Sequence, residues 1–188
     1  MQEHSYCPQS RVDLKVAVQT VNNGTRSHPA SVVTCGDFSA APDAVWEALM
    51  FYEDVTRPAP VFLRGILPTP LGSEGCKSEV GGEVRCRYVT GHLLKRVTHI
   101  IRGRSYSFEI IEQNLSLRGG IKVLGGNYVL HRLSQNWTRV ALLTRYESPN
   151  QPRWLFGRLE AVVCHLFHRH ILTAIRNNVR RNVPTRDE

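Results

Sequence analysis

Two histidines in the 188-residue chain have the placement that acid–base chemistry needs. His99 falls in a predicted strand and His170 in a predicted C-terminal helix, and the phase of each element turns both inward. A paired imidazole can take up and return a proton near neutrality, which would serve an enolisation, a dehydration or a ring closure. The same residues also read as structural histidines bonded to a carbonyl or a phenol. His165, His168 and His170 beside Cys164 suggest a metal site. On a helix, however, 165 and 168 lie about 60° apart while 170 lies on the far side, so no metal is predicted. Cys86 points inward and reads as a buried thiol, because no nearby charge in the sequence would lower its pKa. There is no G-x-S-x-G, P-loop or G-x-G-x-x-G, so hydrolase, NTPase and dinucleotide chemistry have no support and no cofactor is expected.

The elements that must position these residues follow from periodicity. Val12, Leu14, Val16 and Val18 alternate as a half-buried strand does, and Asn22-Asn23-Gly24 supplies a turn. Ser31 to Phe38 reads as a second strand. Pro42 then suits the first turn of a helix, on which Val45, Ala48, Leu49 and Tyr52 share a face. Residues 53–82 are broken by proline and glycine, with one short helix expected near Val61–Leu67. From Glu83 to Glu147 the pattern is all strand: Val84–Val89, His92–Ile101, Ser105–Glu112, Gly120–Leu133 and Thr138–Glu147. The short turns between them predict an antiparallel meander. Gly119-Gly120 and Gly125-Gly126 read as bends in a curved sheet.

Turn arithmetic assigns the faces. Two-residue hairpins at Thr90-Gly91 and Gly103-Arg104 place Tyr88 opposite Leu93, Val84 opposite Val97 and His99 opposite Phe108. A three-residue loop at 134–136 pairs Leu130 with Val140 and Tyr128 with Leu142. One face then collects Val84, Cys86, Tyr88, Leu93, Val97, His99, Ile101, Tyr106, Phe108, Ile110, Tyr128, Leu130, Val140, Leu142 and Tyr146. Arg85, Arg87, His92, Arg96, Arg139 and Arg145 lie on the other. Apolar on one side and charged on the other is what a sheet buried on one side requires. A long helix is predicted over Asn150–Asn182. Leu155, Leu159, Val162, Val163, Leu166, His170 and Ala174 share its broad inner face, and Arg158, His165, Arg169, Arg176 and Arg180 form its wet stripe.

Composition bounds the class. Hydrophobic residues make up 41% and charged residues 21%, which excludes a disordered or collagen-like chain. No apolar run reaches the roughly 18 residues a membrane-spanning helix needs, and the first residues lack a signal-peptide pattern. The five cysteines are scattered, with no C-x-x-C pair. Neither a disulfide framework nor a zinc site is expected, and a cytoplasmic location is the default. Lys and Arg total 24 against 16 acids, and all but Lys15, Lys77, Lys95 and Lys122 are arginine. Arginine forks grip phosphate and carboxylate, so weak contact of the helix stripe with an anionic membrane surface is one expectation and an ordinary solvated face the other. No nucleic-acid motif is present.

The segment FSAAPDAVWEAL at 38–49, the Gly81-Gly82 pair, the meander and the helix from Trp154 to Val179 resemble the START-like (SRPBCC, helix-grip) superfamily, in its polyketide cyclase/dehydrase-like branch. The resemblance covers roughly residues 30–182. It departs at Asn136-Trp137-Thr138, where the family usually has a Gly-Thr turn. It implies an α+β fold in which a curved antiparallel sheet wraps round the long C-terminal helix. The organisation expected is an extension at 1–29, a domain at 30–183 and a tail at 184–188. It also implies a cavity for a hydrophobic small molecule such as a lipid, quinone or polyketide. Tyr88, Val97, His99, Tyr106, Phe108, Tyr128, Leu130, Leu142, Tyr146, Val163, Leu166 and His170 would line it. The alternatives are a polyketide cyclase/dehydratase-type enzyme using His99 and His170, and a basic module for an anionic partner.

Overall fold

A computed structural model describes residues 28–50, 70–115 and 117–182. The candidate strand Val12–Val18 and the candidate helix Val61–Leu67 lie outside them. The element order is β1 (His28–Phe38), α1 (Pro42–Met50), β2 (Pro70–Gly75), β3 (Glu83–Tyr88), β4 (Gly91–Ile101), β5 (Ser105–Leu115), β6 (Lys122–Ser134), β7 (Trp137–Ser148) and α2 (Arg153–Asn182). The seven described strands form one antiparallel sheet in the order β1-β7-β6-β5-β4-β3-β2, with α1 between β1 and β2 in sequence and α2 after β7. The short strand β2 was not anticipated, because its residues PLGSEG carry no alternation.

Register explains which face each residue takes. The β6–β7 hairpin pairs Leu130 with Val140 and Tyr128 with Leu142, as the turn arithmetic required. The β3–β4 turn falls at Val89-Thr90 rather than Thr90-Gly91, so Cys86 opposes Leu93 and Val84 opposes Lys95. That is a shift of two residues from the expected pairing, and an even shift leaves every side chain on its face. The next hairpin differs in kind. A bulge between Val97 and His99 inserts one residue, so Val97 pairs with Phe108 while His99 pairs with Ser107 and Ile100 with Tyr106. One extra residue reverses the alternation. Ile100 therefore turns inward, and His99 and Ile101 turn out to solvent.

Gly126 serves the sheet in a way that a bend alone does not describe. A Cβ there would lie 2.7 Å from the Phe108 ring. The glycine lets that ring lie flat across the strand. Gly119 and Gly120, by contrast, sit in a 3-10 turn at Arg118–Gly120 beyond the sheet.

The main core joins α1, the C-terminal half of α2 and the sheet: Val45, Ala48 and Leu49 pack with Ile171, Leu172 and Ile175 over Val97, Leu130, Val140 and Leu142. Each such Val, Leu or Ile side chain contributes about 1.5–3 kcal/mol by leaving water. Pro42 and Asp43 open α1, where a missing N–H costs nothing and a carboxylate favours the helix dipole. Thr138 Oγ1 donates to the Ala40 carbonyl at 2.8 Å and holds the turn that leads into it. A second, smaller cluster (Val84, Cys86, Leu93, Leu115) lies under β3–β5. Cys76, Cys86 and Cys164 are free thiols, whereas Cys35 is disulfide-bonded, against the expectation from cysteine spacing.

Candidate functional site

The concave face of the sheet carries an aromatic floor. The Tyr106 and Tyr128 rings stack with centroids 6.0 Å apart, and Phe108 meets Tyr128 edge-on at 5.6 Å. Such pairs add about 0.5–1.5 kcal/mol beyond area burial. Beside them, Tyr88 and Ile110 are half-buried against the smaller cluster. Lys95 stands on the same face with only 7% of its surface exposed, its ammonium 5.0 Å from the centroid of the Phe108 ring. Sequence reasoning passed over Lys95, although it shares the parity of Leu93 and Val97 and simple alternation would have found it.

The long helix presents to the sheet a face other than the expected one. Glu160, His168, Ile171, Leu172, Ala174, Ile175, Asn178 and Val179 are its buried residues, of which only Ala174 was expected on the inner face. At about 100° per residue they span an arc of roughly 160°. Leu155, Leu159 and Val162 lie on the opposite arc and are exposed, Leu159 at 57%. Val163, Leu166 and His170 are half-buried. The helix is apolar on several sides, so hydrophobic periodicity left its roll open, and the polar residues decided it.

Two polar clusters fix that roll. His168, 1% exposed, meets the Thr34 hydroxyl at Nδ1 (2.8 Å) and the Thr144 hydroxyl at Nε2 (2.8 Å). Both threonines come from the inner faces of β1 and β7. A neutral imidazole donates at one nitrogen and accepts at the other, and the two hydroxyls satisfy both. Burial, helped by neighbouring His165, pushes the His168 pKa down to about 4. The Cys164 thiol is pushed up to about 11 by burial, so it stays protonated. His165 and His168 do converge, but on the Thr34 hydroxyl. About two turns before His168, Glu160 accepts from Ser148 Oγ (2.5 Å), Asn150 Nδ2 (2.9 Å) and Arg153 Nη1 (2.9 Å). Burial raises its pKa, but the three hydrogen bonds outweigh burial and hold the carboxyl below its ordinary value. Tyr146 lies beside this cluster, and burial raises its phenol pKa, with the Glu160 charge adding to the effect.

The expected lining residues are thus divided. Tyr106, Phe108, Tyr128, Leu130, Leu142 and Val97 share the main core, Tyr88 borders the smaller cluster, and Tyr146 lies by Glu160. His99 leaves the set, since the bulge in β4 puts it on the solvent side. His170 is half-buried on the helix, and burial alone lowers its pKa. The two candidate acid–base residues therefore sit on opposite faces of the sheet and do not meet. Elsewhere, a hollow of about 520 Å3 opens between the start of α1, the β4–β5 turn and β6, and one of about 110 Å3 lies by Phe38 and Arg176. Neither lies over the aromatic floor.

No family model and no curated protein matches the sequence. Solved structures do. An aromatase/cyclase (Zhui) from a Streptomyces species is similar over 86% of this chain and 100% of its own, at 16% identity and a TM-score of 0.59. A START superfamily protein from Mycobacterium smegmatis covers 81% of this chain and 99% of its own, at 10% identity and 0.58. Norcoclaurine synthase from Thalictrum flavum, in complex with dopamine and hydroxybenzaldehyde, covers 90% and 100%, at 11% identity and 0.56. Element order, a seven-stranded antiparallel sheet and a long terminal helix agree with these likenesses, and the chain has the START-like helix-grip fold.

Proposed function

We propose that the protein binds a hydrophobic, ring-bearing small molecule between the concave face of β3–β5 and the N-terminal half of α2. One observation carries this reading. The backbone of α2 packs closely on α1 and β1, and on no other described element to a comparable extent. Its N-terminal half has no comparable backbone packing against β2–β5. Apolar side chains that the core does not fully cover stand on both elements: Tyr88 and Ile110 on the sheet and Val163 and Leu166 on the helix are half-buried, and Leu155 and Leu159 are exposed on the open side of the helix. A mostly apolar lining with a few polar groups to orient the guest is what ligand sites share. Tyrosine rings at the floor and Lys95 over Phe108 suit a planar guest. The solved norcoclaurine synthase of the same fold holds two aromatic molecules, which supports the same class here.

Binding without turnover fits best, because His99 and His170 do not converge. The test is fluorescence of an apolar probe such as ANS with the native chain, together with native mass spectrometry of the purified protein. Native protein is expected to enhance the probe, and Ile110→Trp, which fills half-buried volume, is expected to weaken it several-fold. Enhancement only in an acid or denatured form, with no co-purifying molecule, overturns the reading.

A further inference from the structure

The tips of two neighbouring hairpins combine features that none of the foregoing uses. The β4–β5 turn and the end of β6 are joined where Leu130 N–H donates to the Arg104 carbonyl at 2.7 Å. Together with the start of α1 they enclose the hollow of about 520 Å3. Three arginines line it (Arg102, Arg104 and Arg132) against one carboxylate, Asp43. Glu47 takes Arg102 at 2.8 Å, while Arg104 and Arg132 form no ion pair with a described residue. Large apolar side chains stand on the same tips in open solvent: Ile101 at 45%, Leu133 at 50% and Trp137 at 48% exposed. Each is displaced outward by an irregularity of the sheet or by a hairpin end. Ile101 follows the β4 bulge, and Leu133 lies within the break between Arg132 and Ser134 that Trp137 closes.

We propose that this end of the molecule docks on an anionic phospholipid bilayer, with the hairpin tips entering the headgroup layer and lipid phosphates taking the arginine-lined hollow. Exposed indole and aliphatic groups ringed by arginine fit the boundary between headgroup and acyl chain, where Trp is favoured and cations meet phosphate. A nucleic-acid backbone would satisfy the arginines but offers nothing to Leu133 or Ile101, and projecting tips give no groove to follow a strand. This surface differs from the arginine stripe expected on α2. There Arg176 is engaged, donating to the Asp37 carbonyl at 3.2 Å and lying over the Phe38 ring.

The experiment is co-sedimentation of the full chain with vesicles of phosphatidylcholine alone, or of phosphatidylcholine with phosphatidylserine, at low and physiological salt. The chain is expected to pellet with the anionic vesicles only, and less as salt rises. Arg104→Glu with Arg132→Glu is expected to weaken binding about tenfold or more, and Trp137→Ser with Leu133→Ser several-fold. All four positions are at the surface, and circular dichroism checks that each variant is folded. A second readout uses a Trp154→Phe background, which leaves Trp137 and the buried Trp46, with bromine-labelled phosphatidylcholine in the anionic vesicles, where quenching is expected that further Trp137→Phe abolishes. Equal pelleting with neutral vesicles, or anionic binding unchanged in the arginine variant, overturns the proposal. So does a mobility shift of single-stranded RNA that needs Arg104 and Arg132 while no vesicle binds, which would make the surface a nucleic-acid site.

Discussion

The two halves of the helix grip are built on different principles. In one half, α1, β1, β6, β7 and the C-terminal turns of α2 close on each other, and their aliphatic residues reach zero exposure at Val45, Ala48, Val140, Leu142 and Ile175. In the other half, the first turns of α2 carry Trp154, Leu155, Leu159 and Val162 into solvent, while β3–β5, beyond the Val97, Tyr106 and Phe108 that they give to the main core, hold a small cluster of their own. What differs is whether a facing element lies within van der Waals reach, and that is where stability and recognition part company. A packed residue contributes to folding, whereas an apolar residue left open costs little to the chain and remains available to a guest.

The sharpest way to break the comparison is to truncate a residue of the closed half. Ile175→Ala removes a side chain with no solvent exposure, and the cavity it leaves is expected to cost about 2–5 kcal/mol. Thermal or urea unfolding measures this. If Ile175→Ala cost no more than a typical surface change, within about 0.5 kcal/mol, the closed half would not be the seat of stability.

A second prediction concerns what holds α2 in its roll. His168 is neutral in the folded chain, its pKa lowered by burial to about 4 from the ordinary histidine value of 6.5. The unfolded chain binds the proton more readily than the folded one in that window. Stability is therefore complete above about pH 6.5, falls as pH drops towards about 4 and levels off below that, as far as this group is concerned. The shift corresponds to a loss on the order of 3 kcal/mol. Half-buried His170, also lowered by burial, acts in the same sense. Unfolding free energies at pH 7 and pH 4.5 measure the effect, and His168→Gln is expected to flatten the slope in that window. An identical slope in the variant would mean that acid sensitivity comes from other groups.

How far these features could be read from the sequence depended on the kind of signal each one left. The β6–β7 pairing was legible because a tight turn fixes register and the residues alternate cleanly from Tyr128 to Leu130 and from Val140 to Leu142. Strand β1, helix α1 and the extent of α2 were legible for similar reasons. Pro42 marks where α1 begins, and Pro184 lies past the end of α2. The bulge after Val97 was not legible. Val97-Thr98-His99-Ile100-Ile101 alternates acceptably in either phase, and only the fit against Phe108 and Tyr106 selects one. That single residue carried His99 from the candidate site to the solvent side. The roll of α2 was misjudged because Leu155, Leu159, Val162 and Leu166 form as good a stripe as Ile171, Leu172, Ile175 and Val179. Buried partners for Glu160 and His168 settled it, and Ser148, Thr34 and Thr144 are remote in sequence, where no local pattern announces them.

The smallest expected effect on folding, and the one that most sharpens the comparison, comes from that rejected stripe. Leu155 and Leu159 are one turn apart, 48% and 57% exposed, and lie on the arc opposite the helix's buried residues. Replacing both by serine removes apolar surface that folding has not taken out of water. The change in unfolding free energy is expected to stay within about 0.5–1 kcal/mol, most of it the slightly poorer helix propensity of serine. If the open half serves a guest, the same double variant is expected to lower apolar-probe binding several-fold, because the rim of the proposed site loses two contacts. Large destabilisation would mean that these leucines are packed in solution, and the division into a closed and an open half would fail. Unchanged stability with unchanged probe binding would keep the division but move the guest deeper, towards Tyr88 and Ile110. Parallel titrations of the wild type, the double-serine variant and Ile110→Trp separate the two outcomes.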